Sequence, residues 1–165
     1  MKKHFWLAVV FVLVTLFAGC SVTTVPEETA LVLQAEIEQF FDNYEQALLS
    51  NYLDQIINFY TVPYTAADYI SGSKITLSSW EDLRTYLNNY LGLEESEIIE
   101  ESFEISDVAF SSETRAIVLA EEHWVQTADG EAWEATDSLR ITLVKTGGNW
   151  KFQKMELLGW REKRG

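Results

Sequence analysis

The stretch RAIVLAEEHWVQTADGEAWEATDSLRITLVK, Arg115–Lys145, decides how this chain is read. Two runs rich in β-branched and aromatic residues flank Asp129-Gly130, and Asp-Gly between such runs is a strong hairpin signal. A two-residue turn there sets Ala128 opposite Glu131, so paired positions sum to a constant. Glu122 then faces Asp137, Trp124 faces Ala135, Ala120 faces Leu139, Val118 faces Ile141 and Ala116 faces Leu143. A four-residue loop would shift partners but keep the faces, because side chains alternate with period two. The face holding Ala116, Val118, Ala120, Leu139, Ile141 and Leu143 is apolar and is expected to be concave. His123 falls on the other face, among polar positions, as a solvated residue or part of a dimer surface rather than an acid–base group.

Working outward, strands are expected at Ser102–Phe110, Arg115–Gln126, Glu131–Lys145 and Trp150–Leu158, divided by SSET, ADGE and TGGN turns. Parity across TGGN puts Trp150 and Phe152 on the apolar face too. Upstream, Leu33, Ile37, Phe40, Tyr44 and Ala47 recur at helical spacing and define an amphipathic helix over Glu27–Leu49. Ser50-Asn51 stops it, and a second short helix is expected through Tyr60, with Pro63 ending the run. Ser78 and Glu81 are spaced as a capping box for a third helix, with Leu83, Tyr86, Leu87 and Tyr90 inward and Gly92 as its stop. Helices followed by an antiparallel meander make an α+β domain.

Composition narrows the function classes. The chain of 165 residues carries 12 Lys and Arg against 26 Asp and Glu, for a net charge of −14. Such a surface repels nucleic acid, whose binding depends on neutralising phosphates. The N-terminus opens with Met1, Lys2, Lys3 and His4, followed by an apolar run from Phe5 to Ala18 and the only cysteine, Cys20. A basic start and a short apolar core are the parts of an export signal. At 14 residues the run is shorter than the roughly 20 that a spanning helix needs. Once a signal covering residues 1–19 is removed, Lys2 and Lys3 leave with it and the net charge becomes −16. With one histidine and no spare thiol in the remainder, a zinc-type cluster is excluded and no cofactor is expected. The acidic run EESEIIEE, Glu94–Glu101, lacks the alternating ligands and internal glycine of a calcium loop and reads as solvated charge.

Two resemblances follow from these residues. Ala18-Gly19-Cys20 resembles the lipobox of bacterial lipoproteins, with Phe17 where an aliphatic residue is usual. It implies lipidation at Cys20, a lipidated tether over 20–29, and a protein exported and held on a membrane by acyl chains. In a two-membrane cell, Ser21 after the cysteine implies the periplasmic face of the outer membrane; otherwise the site is the cell surface. The segment ETRAIVLAEEHW through DGEAWEATDSLRITLVKTGGNWKFQ, behind NYLDQIINFYTVPY, resembles the nuclear transport factor 2-like superfamily, which includes the SnoaL-like polyketide cyclases. That resemblance implies a cone-shaped, cystatin-like fold over residues 30–160: N-terminal helices packed on a curved antiparallel sheet, often with a pocket between them. Residues 161–165 are expected to be a basic tail.

The candidate pocket residues are Glu122, Trp124, Trp133 and Asp137 at the mouth end of the strands, with Tyr44, Tyr60 and Tyr64 from the helical wall. Two carboxylates in a half-buried site cannot both ionise cheaply, which is how an acid–base pair is made. Three functions are expected in this order. The first is a lipid-anchored domain that binds a small apolar ligand or an envelope protein without catalysis. The second is a SnoaL-like isomerase, cyclase or dehydratase working through Glu122 or Asp137. The third is an assembly subunit forming a homodimer through Ile117, Leu119 and Val125 on the convex face.

Overall fold

A computed structural model describes residues 25–164. The signal segment 1–19, Cys20 and the tether as far as Thr24 therefore lie outside the described residues. The chain runs α1 (Glu27–Leu49), α2 (Leu53–Ile56), a 3₁₀ turn (Ile57–Phe59), β1 (Tyr60–Asp68), β2 (Ser73–Leu77), α3 (Trp80–Leu91), β3 (Glu97–Ser112), β4 (Arg115–Ala128), β5 (Glu131–Thr146) and β6 (Asn149–Arg164). The strands form one sheet in the order β2-β1-β6-β5-β4-β3, and the helices pack on one side of it.

The first helix has the expected bounds. Leu33, Ile37, Phe40, Phe41, Tyr44, Ala47 and Leu48 are buried, which is one stripe at helical spacing. Glu27 and Glu28 occupy its first turn, where negative charge meets the positive end of the helix dipole. Asn51 follows it in the left-handed region at φ 56°. Its side chain works as a bracket: Oδ1 accepts from the Ile98 amide at 2.8 Å, and Nδ2 donates to the Ile98 carbonyl at 3.1 Å. The helix end is thus tied to the start of β3. Glu45 adds a second tie, accepting from the Phe103 amide at 2.7 Å.

The meander follows the expected register. Across the Asp129-Gly130 turn, Glu122 pairs with Asp137, Ala120 with Leu139 and Val118 with Ile141. Asp129 and Gly130 both have positive φ, 54° and 83°, as a two-residue primed turn requires. The inward side chains Ala116, Val118, Ala120, Leu139, Ile141 and Leu143 of this hairpin are buried. Phe152 sits at the centre of the core. Its ring meets those of Tyr44 at 4.7 Å, Phe40 at 4.9 Å and Tyr60 at 5.1 Å, in tilted or edge geometries favoured by the ring quadrupoles.

Several expectations need correction. The second helix stops before Tyr60, because the chain there enters β1 rather than continuing to Pro63. With β2 it adds two strands to the four expected, and β1 runs parallel to β6, so the sheet is mixed. Pro63, preceded by a cis peptide bond, lies where the β1–β6 register shifts between Tyr60 and Thr65. A strand proline is tolerated at such an irregularity because no ladder bond is asked of it. The third helix is capped by Ser79, not Ser78: Ser79 Oγ accepts from the Asp82 amide at 3.1 Å and donates to Asp82 Oδ2 at 2.7 Å. Gly92, in the left-handed region at φ 61°, ends it as expected. The basic tail is instead the end of β6, which runs to Arg164 against β5. Likewise Glu97–Glu101 is the beginning of β3 and not a solvated run, with Ile98 and Glu101 buried.

Candidate functional site

The cone opens beside α3. Two cavity lobes lie there, of about 280 and about 260 Å³, and Glu122, Tyr90, Leu91 and Leu157 line both. The first is tyrosine-walled, with Tyr44, Tyr60, Tyr64 and Tyr86 around it. The second, the carboxyl lobe, holds Glu101, Trp124, Asp137 and Trp160.

Strand pairing brings the carboxyl groups together. Glu122 of β4 is opposite Asp137 of β5. On its other side Glu122 is opposite Phe103 of β3, and Glu101 is two residues along on the same face, opposite Trp124. Three acidic side chains from three adjacent strands therefore point into one cavity. Asp137 and Glu101 are buried, 7% and 8% exposed. Glu101 and Glu122 hydrogen-bond each other; burial and then Glu122 push the Glu101 carboxyl well above the usual range, while burial and the Asp137 charge push Glu122 up against the lowering effect of its bond with Glu101. Such a pair titrates as a unit and holds both its protons at neutral pH. Asp137 is also raised, by burial, but Trp124 Nε1 donates to its Oδ2 at 3.3 Å and works against that rise.

The tyrosines add hydroxyls. Tyr44 and Tyr60 share a 2.6 Å hydrogen bond. Burial pushes both hydroxyls, and that of Tyr64, well above the ordinary tyrosine value, with Glu122 adding to the effect. They stay neutral and act as donors or acceptors. Tyr90 is 55% exposed as a residue, yet its hydroxyl lies among Glu122, Asp137 and Tyr64 and is pushed up by burial and these neighbours.

Six of the seven expected pocket residues, all but Trp133, line one lobe or the other. Trp133 shares their face but is 44% exposed and lines neither lobe. It pairs with Gln126, whose amide already reaches the end of α3 at Leu91 O (2.5 Å), so Trp133 lies at the margin of helical cover. His123 stands outside the cavity, its Nδ1 3.4 Å from Thr136 Oγ1 and its Nε2 3.7 Å from Glu100. On the outer face Ile117 is 40% exposed, while Arg140, Lys154 and the Tyr69 hydroxyl all bond the buried Glu156.

Sequence reasoning missed Glu101, Tyr86, Tyr90 and Trp160 as site residues. A signal existed for Glu101: it is two before Phe103, so parity carries it inward once the strand starts early enough. Trp160 was missed because β6 is longer than its apolar alternation suggests. Among the described residues no group of three His, Cys, Asp or Glu is arranged to hold a metal ion.

No protein-family model and no curated protein matches the chain. Solved structures do match in fold. A putative scytalone dehydratase from Novosphingobium aromaticivorans superposes with a TM-score of 0.66 at 19% identity, over 85% of this chain and 93% of that one. A ketosteroid isomerase-like protein from Erwinia carotovora gives 0.58 at 19% identity, over 76% and 95%. A hexachlorocyclohexane dehydrochlorinase from Novosphingobium barchaimii gives 0.63 at 12% identity, over 85% and 96%. An NTF-2 like protein of unknown function from Shewanella oneidensis matches at 0.59 and 18% identity, over 75% and 97%. The chain thus has the nuclear transport factor 2-like, SnoaL-like cone fold.

Proposed function

We propose that this protein binds a small, largely apolar molecule in the cone and moves a proton on it. Asp137 is the base and the Glu101–Glu122 pair is the proton donor. The observation that carries this reading is the hydrogen-bonded, buried carboxyl pair facing a third carboxyl across one cavity. Environments that separate the proton affinities of neighbouring acids assign their roles. Asp137, steadied by Trp124, is the readiest of the three to ionise; Glu101 and Glu122 keep their protons chiefly by burial, with Glu122 repelling a charge on Glu101 and Asp137 repelling one on Glu122. The tyrosine wall supplies neutral hydroxyls next to Glu122, suited to a substrate oxygen on which negative charge develops. The names of the structural neighbours, a dehydratase, a dehydrochlorinase and an isomerase-like protein, denote reactions in which a proton is moved, which agrees with this chemistry.

The reading extends to place. A lipid on Cys20 would hold the cone outside the cytoplasm, on a membrane that its acidic surface does not itself bind. Cys20→Ser tests this: the protein should leave the membrane fraction, and unchanged partitioning would refute the anchor.

The function is tested on the full chain by identifying co-purifying small molecules with native mass spectrometry. Their C–H positions are then followed for exchange in heavy water. Positioned acid–base groups contribute roughly 10²–10⁴-fold, so Asp137→Asn should slow exchange by about that factor. A ligand that binds but exchanges no faster than in buffer would refute proton transfer and leave a binding protein.

A further inference from the structure

The carboxyl lobe holds more hydrogen-bond acceptors than donors. Glu101, Glu122 and Asp137 bring their carboxyl oxygens into it, and among the described residues no Lys, Arg or His lines it. Tyr90 and Trp160 each bring a single donor to the six carboxyl oxygens, and the other two donors are already engaged. Trp124 Nε1 is given to Asp137, and Gln126 Nε2 to Leu91 O and Ser96 Oγ. Glu101 is more than nine-tenths buried, and its Oε1 makes no hydrogen bond. A buried acceptor left unpaired is costly, and such an atom aimed into a cavity marks a place where a ligand donor fits. The rest of the wall is aromatic and aliphatic: Trp124, Trp160 and Tyr90, with Leu91, Ile98 and Leu157. Aromatic faces attract cations, most of all in a site shielded from water.

We propose that this lobe receives a protonated amine carried on a compact apolar body, with an N–H bonded to Glu101 Oε1 and the charge balanced by Glu122 and Asp137. The inference rests on the small-molecule reading above and names its substrate class. Size is consistent with it. A dry cavity of about 150 Å³ holds benzene, so a lobe of about 260 Å³ takes a six-membered ring and a short aminoalkyl arm. A quaternary ammonium has the charge but no N–H for Glu101. A neutral alcohol has the donor but brings Asp137 no counter-charge. A carboxylate meets three acids and a chain of net charge −14.

Binding should also release a proton. The titratable groups around the Glu101–Glu122 pair are Glu45 and Tyr44 of α1, Tyr90 of α3, Tyr60 and Tyr64 of β1 and Asp137 of β5. None of them is a cation. An entering ammonium brings a positive charge next to the pair and favours the ionised carboxyl. The pair then gives up one proton to solvent, while another stays shared in its hydrogen bond.

The test is isothermal titration calorimetry of the full chain at neutral pH, in two buffers of different ionisation enthalpy. The probes are phenethylamine, its trimethylammonium analogue, phenethyl alcohol and hydrocinnamate. Phenethylamine should bind at least about tenfold tighter than each of the others, a difference of one decade in Kd. Its apparent enthalpy should depend on the buffer in the sense of proton release. Glu101→Gln and Asp137→Asn should each erase most of the preference while still binding the alcohol, which shows that the cone is intact. If the alcohol or the trimethylammonium compound binds as tightly as the amine, or no proton is released, the amine inference falls and the small-molecule pocket stands. If none of the four binds, both fall.

Discussion

Replacing both members of the buried carboxyl pair, Glu101→Gln with Glu122→Gln, should change how stability depends on pH. In the unfolded chain both groups ionise near the ordinary 4.5; in the folded chain burial and the Asp137 charge raise Glu122 to about 8, and burial and Glu122 raise Glu101 further. An acid whose folded value is raised stabilises the fold fully below its unfolded value. That contribution is lost as pH climbs through the folded value. Each proton that only the native state holds costs about 1.4 kcal/mol of stability per pH unit. Between pH 5 and pH 8, one such proton removes about 4 kcal/mol, a large share of the roughly 5–15 kcal/mol that domains possess. Urea denaturation at unit steps of pH reads this directly, since urea adds no screening salt. The wild type should lose stability steeply across that window. The double variant should be flatter by about 4 kcal/mol or more and should overtake the wild type by pH 8. Glu122→Gln alone should recover about one proton's worth. Glu121→Gln removes the same charge from the exposed side of β4, where Arg161 reaches it at 3.4 Å, and should leave the slope unchanged. Parallel profiles for wild type and double variant, within about 0.5 kcal/mol, would show that the pair is solvated and ionised in the fold, and the acid–base reading would go with it.

Phe152→Ala empties the meeting point of four aromatic rings around a fully buried residue and should cost about 3–5 kcal/mol in urea denaturation, with Phe152→Leu costing much less. Gly92→Ala should cost about 1–2 kcal/mol, because φ is +61° and the new Cβ would lie 3.0 Å from Ser96 Oγ, which itself anchors Gln126. Glu156, 3% exposed and bonded by Arg140, Lys154 and the Tyr69 hydroxyl, has its carboxyl lowered to about 2. A lowered acid stabilises the fold above its unfolded value, so this contribution should fade as pH falls from about 5 towards 2, and Glu156→Gln should flatten acid denaturation in that range. The two carboxyl sites therefore tilt the stability curve in opposite directions, one lost to base and the other to acid.

Local chemistry explains why so much of the fold was readable. A hairpin whose turn is fixed by Asp129-Gly130 has only one register, and that register carries every later pairing of β4 with β5. The long helix was equally legible, since its buried stripe, from Leu33 to Leu48, recurs for about four turns. The first strand was not. Tyr60–Asp68 pairs in parallel with β6, some ninety residues away, and nothing local marks a non-local partner. Ile56 and Ile57 at helical spacing before it, and Pro63 within it, favoured a different reading of the same residues.

The site was legible to the same extent as the strands that build it. Period-two alternation decides which way a side chain points, so Glu122, Trp124 and Asp137 could be sent to the concave face. It cannot decide how far the helices reach over that face, which is why Trp133 obeys parity and still sits outside. Depth is a tertiary property. Here it is set by α3, whose end is fixed by Gly92 and bound to β4 through Gln126. It is also set by Asn51, which ties the end of α1 to Ile98 and so settles where β3 begins. That last constraint carries Glu101 inward. Three residues after Ile98, across a register shift, its side chain comes to rest against Glu122 in place of water. An acidic run that looks solvated becomes the most perturbed acid in the cavity because a helix-terminal asparagine, forty-seven residues from its strand partner, holds the chain there. Changing Asn51 should therefore disturb the carboxyl pair without touching it.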